Sequence, residues 1–424
     1  VATRPAGGVP QNPADDHGYS PLGYYDLRAY EQAYPGVPGS TLVMQAAAAR
    51  YWAYRGIAYR GTDPVGNVWM SLGPETNLTD ASGQSGANIS GRVTALAISP
   101  TCAEFGACRM WVGAGGGGVW RTDDAMHPTD PKWRWVSRGL GTNSIGALGL
   151  DPSDRSGNTL YVGTGETNTP QNSGAGTGLF KSTDGGDTWA RVPTMIVDTA
   201  VSATEIDFTS TRGISTVVVD PTRPQTLYVA TATAMLGMTA VRGGQTQVTG
   251  YPQPRVGLYK TDNGGLSWTL LWVPPVDTAF VASANLGAGV RDTMSGVRLV
   301  RLDPRDPSIV YAAAWNNAIH RSAPSLEGGD ADFKPVFAIV GGGRQRDLPM
   351  FDIAIKDGHA RLYVYNGTES LTDQSLYRVD NADVPATALV TSRNGALANA
   401  TAWVKLTVDS TTSQSGVSRQ LCGT

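Results

Sequence analysis

Chemistry in this sequence is concentrated in short turns. Ser182-Thr183-Asp184-Gly185-Gly186-Asp187-Thr188-Trp189 sets a carboxylate between two hydroxyl residues, and Thr261-Asp262-Asn263-Gly264-Gly265-Leu266-Ser267-Trp268 repeats the pattern with an amide in its place. An oxygen at that spacing accepts hydrogen bonds from the turn's own N–H groups, glycine supplies positive φ, and tryptophan anchors the turn by packing. The expected role of Asp184 is therefore structural. Thr122-Asp123-Asp124 starts a third copy, with its tryptophans delayed to Trp133 and Trp135.

Other reactive groups give weaker patterns. Gly113 to Gly118 matches a dinucleotide fingerprint but joins two predicted strands, where a nucleotide site needs a strand and a helix. His17, His127, His320 and His359 have no metal-ligand spacing, and no Gly-x-Ser-x-Gly elbow occurs. No cofactor is expected; a structural calcium ion at Asp330-Ala331-Asp332 is the one metal considered, against the commoner reading of a solvated acidic loop. Cys102 and Cys108 flank a short loop, a spacing open to a local disulfide or to free thiols, and Cys422 is left over.

These turns lie between strands of a repeat. Its first strand runs into an Asp-Pro-like turn at Val93–Pro100, Ile145–Pro152, Ile214–Pro221 and Val297–Pro304, with a degenerate copy at Phe351–Gly358. A second strand bearing an aromatic follows at Trp111, Tyr161, Tyr228, Tyr311 and Tyr363; a third holds Trp120, Phe180, Tyr259, His320 and Tyr377. Trp189, Trp268 and Trp403 open a fourth. Four strands per unit, repeated, predict an all-β chain: a β-propeller of four-stranded antiparallel blades.

The turn pattern resembles the Asp-box of bacterial neuraminidase-type repeats, over about residues 67 to 406. Trp69-Met70-Ser71-Leu72-Gly73-Pro74, Ser90-Gly91-Arg92-Val93, the glycine run and Gly163-Thr164-Gly165-Glu166-Thr167-Asn168 come in an order similar to exported bacterial proteins described as sortilin-like. The resemblance assigns Ser182, Asp184, Gly186, Thr188 and Trp189, with Thr261, Asn263, Gly265, Ser267 and Trp268, to structural turns. It also extends to xyloglucanase-like propellers, where a carboxylate typically stands in the first blade in place of the glycine run. Sialidases carry an Arg-Ile-Pro segment that this chain lacks.

With 424 residues, 33 Lys and Arg against 36 Asp and Glu, and no basic run, the chain has no footprint for nucleic acid. No apolar stretch reaches the roughly 20 residues of a membrane-spanning helix. The Pro/Gly/Asp-rich start at Val1 reads as a mature N-terminus after export, so a secreted or cell-surface location is expected. Residues 1–60 are expected to form an extension with a helix at 41–59. Residues 61–424 hold five recognisable blades, with Trp69 as a closing strand and the ring expected to be incomplete at the C-terminus.

In such a blade the turns between strands two and three share one face of the disc with the links between blades. That face carries long segments at 166–177, 195–212, 232–256 and 276–296, and long loops inside a compact repeat tend to bind. Glu166, Asn168, Arg242, Tyr251, Arg291, Trp315, Asn316 and Asn317 are the candidate binding residues there. The expected function is noncatalytic binding of protein, peptide or glycan, or a place in a surface assembly. The alternative is a glycoside hydrolase acting on extracellular polysaccharide, which needs two converging carboxylates.

Overall fold

The computed structural model describes residues 92–100, 102, 108–126, 132–167, 173–234, 238–239, 246–247, 253–275, 295–315, 318–322, 333–338, 348–367, 375–393 and 396–406. The expected N-terminal extension, its helix, the Trp69 strand, Asp330 to Asp332 and Cys422 lie outside them.

The described chain forms five four-stranded antiparallel sheets, each pairing its strands in chain order. The strands are Val93–Ile98, Met110–Ala114, Gly118–Thr122 and Trp133–Trp135 in the first, and Ile145–Leu150, Leu160–Thr164, Leu179–Ser182 and Ala190–Val192 in the second. Arg212–Val219, Leu227–Thr233, Leu258–Thr261 and Thr269–Trp272 make the third, and Val297–Leu302, Val310–Ala314, Ala318–Arg321 and Lys334–Ala338 the fourth. Leu348–Lys356, His359–Gly367, Ser375–Val379 and Val404–Leu406 make the fifth. First strands of successive sheets lie side by side, which places them along the inside of an arc with the later strands fanning outward. This is a β-propeller of four-stranded blades.

Alternation along the strands gives the blades apolar faces where they meet, and the core sits between blades. Trp111, Val119 and Val136 of the first blade meet Leu160, Val162 and Phe180 of the second. On the far side of the second blade, Ala147, Tyr161, Leu179 and Val192 meet Ile214, Val217, Val229 and Tyr259 of the third. Later interfaces repeat the pattern, with Phe337 against Trp403 at 4.7 Å edge to face.

The fifth blade departs from the simple repeat. Between its third and fourth strands the chain inserts a helical turn, Ala386–Leu389, and a hairpin of Val390–Arg393 with Ala396–Asn399. Asn399 pins the insertion to the fourth blade, accepting from Ala338 N at 2.7 Å and donating to Ala338 O at 2.9 Å.

Candidate functional site

Two ends of the blades carry polar constellations, and local geometry separates them. At the turn end, Asp184 Oδ1 accepts from Ser182 Oγ at 2.7 Å and from Thr188 N at 2.9 Å, while Oδ2 accepts from Thr188 Oγ1 at 2.6 Å. Gly185 and Gly186 take φ of 73° and 95°, values that L side chains rarely adopt. Burial pushes the Asp184 carboxyl up, but hydrogen bonds from Thr188 and Ser182 outweigh it and bring it down to about 2. In the third blade Asn263 Oδ1 accepts from Thr261 Oγ1 and Ser267 N, at 2.8 and 2.9 Å, and Asn263 Nδ2 donates to Ser267 Oγ. Both Asp184 oxygens and the Asn263 side-chain oxygen accept hydrogen bonds from their own turns, so these groups have little left to offer a substrate.

The turn tryptophans reach backward. Trp189 Nε1 donates to Val136 O at 2.6 Å, Trp268 Nε1 to Pro193 O at 2.8 Å and Trp403 Nε1 to Val336 O at 3.1 Å, each a carbonyl at the outer strand of the preceding blade. Trp111 returns the contact by donating to Gly185 O at 2.9 Å. Trp268 is 8% exposed, whereas Trp189 is half-buried because its outer edge stays at the rim. The fourth blade puts Phe333 at this position, stacked on Trp272 at 4.7 Å. Cys102 and Cys108 are joined in a disulfide across the loop after the first strand, with Cα atoms 4.0 Å apart.

The opposite ends of the first strands form the inner mouth of the arc of blades. Three backbones converge there: Gly165 N donates to Ser144 O, and Gly176 N donates to Arg212 O at 2.9 Å. A Cβ on Gly165 would meet Gly213 Cα at 2.7 Å, and one on Gly176 would meet Thr164 O at 2.3 Å, so glycine is required at both. Arg212 in turn donates from Nη2 to Pro254 O at 2.5 Å. The long segment after Glu166, the link before Arg212 and the end of the third-blade loop are therefore tied to one another. Arg255 clamps Asp198 with two hydrogen bonds, of 2.8 and 3.0 Å, fastening the same link from its other side.

Glu166 sits at the centre of this mouth. Its backbone pairs with Gly174, its side chain is fully buried, and Arg92 Nη2 donates to Oε2 at 2.5 Å. The glycine run packs beside it, since a Cβ on Gly115 would lie 3.3 Å from Glu166 Cγ. Trp315, at the end of the fourth blade's second strand, is 4% exposed and packs on Ala232. Arg298 lies over the Trp315 ring, 5.2 Å from its centroid.

Of the candidate binding residues, Glu166 and Trp315 are brought to this mouth, both more enclosed than solvated loop positions. Asn168, Arg242, Tyr251, Arg291, Asn316 and Asn317 lie outside the described residues. Arg92 and Arg298 were not among the candidates. A signal for Arg298 exists in the repeat, because the position after the opening residue of the first strand is Thr94, Gly146 and Ser215 in the preceding blades.

No family model matches the chain, and no curated protein matches it. Among solved structures it is similar to an ancestral GH74 enzyme at 16% identity, over 74% of this chain and 31% of that one, with a TM-score of 0.41. The GH74 xyloglucanase from Xanthomonas campestris matches at 15% over 75% of this chain and 46% of that one, TM-score 0.38. YCF48 from Cyanidioschyzon merolae matches at 14% over 73% and 72%, TM-score 0.37. The chain thus spans less than half the length of the two GH74 proteins. The architecture given above rests on its own sheets.

Proposed function

We propose that this chain is a noncatalytic Asp-box propeller, secreted or held at a cell surface, that binds a protein, peptide or glycan through the inner-mouth face. The observation that carries this reading is the convergence of the 166–177 segment, the 195–212 link and the 253–256 segment on one mouth, through the Gly176–Arg212–Pro254 hydrogen-bond relay. A repeat fold needs only short connections for its stability, so long segments tied together at one end serve recognition. The opposite end is occupied by turns whose polar groups satisfy themselves.

Hydrolysis of a polysaccharide by paired carboxylates is the less favoured reading of the same mouth. Such chemistry places an acid and a base across a cleft. Here Glu166 is buried against Arg92, and the neighbouring first-blade turn offers Gly115 in place of a side chain.

The test is a binding screen, by glycan array and by capture of extracellular proteins, on this chain and on a variant with residues 235–252 replaced by a short Gly-Ser linker. Ligands of this face should be lost from the variant while its thermal midpoint stays within a few degrees. Undiminished binding would overturn the assignment of the face, and release of reducing sugar from a polysaccharide panel would overturn the noncatalytic reading.

A further inference from the structure

Two turns built on one plan differ in a single group. In the second blade the turn between the third and fourth strands centres on Asp184; in the third blade the same position is Asn263, followed by Gly264. The two are otherwise arranged alike, and Gly185 and Gly264 both take φ of 73°. Asp184 accepts from Thr188 N at 2.9 Å, Ser182 Oγ at 2.7 Å and Thr188 Oγ1 at 2.6 Å. Asn263 accepts from Ser267 N at 2.9 Å and Thr261 Oγ1 at 2.8 Å, and its Nδ2 donates to Ser267 Oγ at 2.7 Å. Only the proton of the last bond changes sides, because a hydroxyl both donates and accepts. The slot accommodates a carboxylate in the geometry it gives an amide.

Asparagine before glycine is the pairing most prone to lose its amide, since glycine has no side chain to shield its nitrogen from the asparagine carbonyl carbon. The Gly264 nitrogen gives its proton to solvent base and attacks Asn263 Cγ. The N–Cγ bond forms, the Cγ–Nδ2 bond breaks, and ammonia leaves with a proton returned by solvent. Water then opens the cyclic imide. Entering at Cγ, it gives aspartate and restores the main chain; entering at the Asn263 carbonyl carbon, it gives isoaspartate, with the main chain lengthened through Cγ. The exchange consumes water and needs no oxidant.

The closed turn opposes the first step at both reacting atoms. Gly264 N donates to Gln225 O at 2.8 Å, and the Gln225 side chain lies over the glycine, where a Cβ would meet Oε1 at 2.5 Å. The Asn263 amide is fixed to Thr261 and Ser267 by the three hydrogen bonds above, and any rotation toward the nitrogen breaks them. Solvent nevertheless reaches the pair, for Asn263 and Ser267 are exposed. Closure of the turn, not burial, withholds the reaction.

We propose that Asn263-Gly264 is a deamidation site gated by its own turn: the amide is retained while the turn is closed and lost when it opens. The aspartate product closes the turn again as Asp184 does. The isoaspartate product does not, because a lengthened main chain disturbs the pairing of Tyr259 with Leu270 and of Lys260 with Thr269 that the turn joins. The third blade thereby records how often its turn has opened, while the second blade, with Asp184, has no amide to lose.

The experiment follows the full chain by peptide mass mapping over time, folded and unfolded in guanidinium chloride, at one mildly alkaline pH. The unfolded chain should lose the Asn263 amide at least tenfold faster than the folded chain, at a rate close to that of the other Asn-Gly pairs, Asn366-Gly367 and Asn394-Gly395, under the same unfolding. Ser267→Ala removes the oxygen that holds Nδ2 and should speed the loss several-fold in the folded chain, beyond what its change in global stability accounts for, with the unfolded rate unchanged. Asn263→Asp should keep the thermal midpoint of the parent to within a few degrees, and isoaspartate-bearing molecules should be the first cut by a protease. Equal rates in folded and unfolded chain, or an unchanged folded rate in Ser267→Ala, would overturn the gate. Retention of the Asn263 amide in the unfolded chain would overturn the site, and a midpoint lowered well beyond a few degrees by Asn263→Asp would overturn the accepted product. Should Ser267→Ala fail to fold, the folded and unfolded rates of the parent chain decide.

Discussion

The first and fifth blades each have a face turned away from the other described blades, and the two faces are built differently. On the first blade, register puts Leu96, Val112, Trp120 and Trp135 in one row and Ile98, Met110 and Trp133 in the next. These are the positions that the second blade fills with Leu148, Val162 and Phe180, and with Leu150 and Leu160, against the first. Leu96 and Ile98 are 59% and 54% exposed. On the fifth blade, the corresponding face sets an apolar row, Met350, Tyr365, Leu376 and Leu406, beside a polar one with Asp352, Tyr363 and Arg378, then Arg361 and Lys356, and Arg361 and Arg378 both pair with Asp380 at 2.8 Å. The first face repeats the pattern of a blade interface in both rows; the fifth is apolar in one row and charged in the next. A repeat thus does not by itself make its ends alike, because each end is shaped by what it meets.

The sharpest way to break that contrast is to truncate equivalent tryptophans. Trp268→Ala, within the described interface of the second and third blades, should cost about 3–5 kcal/mol in urea unfolding. Its first-blade counterpart Trp133→Ala should cost less than half of that. Equal losses would mean that the first blade's outward face is covered as fully as an internal interface.

An internal interface also differs from the fifth blade's outer face in how it responds to acid. His320, 4% exposed beside Trp272, is pushed down to about 4 by burial. The unfolded chain takes up that proton near pH 6.5 and the folded chain only near 4, so stability is whole above about 6.5 and falls as the pH drops between those values. The loss should approach about 3 kcal/mol, from a gap of some two and a half units at 1.36 kcal/mol each. His320→Gln should flatten the curve between pH 6.5 and 4.5; an unchanged slope would show that another group titrates.

The smallest effect belongs to the charged face. Asp380→Asn should destabilise by less than about 1 kcal/mol, and the difference should vanish in 1 M salt, since exposed ion pairs are weak and screened. A larger, salt-resistant loss would show that Asp380 is shielded from water in the full protein.

Much of the fold was legible from residues alone. The strand ending in Asp-Pro, the aromatic second strand and the turns at Ser182 and Thr261 predict four strands per unit, because period-two alternation and glycine-bearing turns are local signals. The fifth blade was less so: its helical turn and hairpin before Trp403 interrupt the repeat with residues whose pattern is unremarkable in sequence. Trp189, expected to anchor its turn by packing, is only half-buried, since rim position depends on how far one blade overhangs the next. The mouth was half visible. Long segments marked the face and picked out Glu166 and Trp315, but nothing near Arg92 in the chain announces a partner 74 residues away.

What the sequence determined by itself was therefore the alternation, the turns and the number of strands in a unit, all set by interactions within a few residues. Which carboxylate meets which arginine was decided only when the blades packed. Arg92 precedes one first strand, Arg298 lies near the start of another and Glu166 follows a second strand that ends on the same side, so residues of the first, second and fourth blades meet at one mouth through packing that no local rule announces.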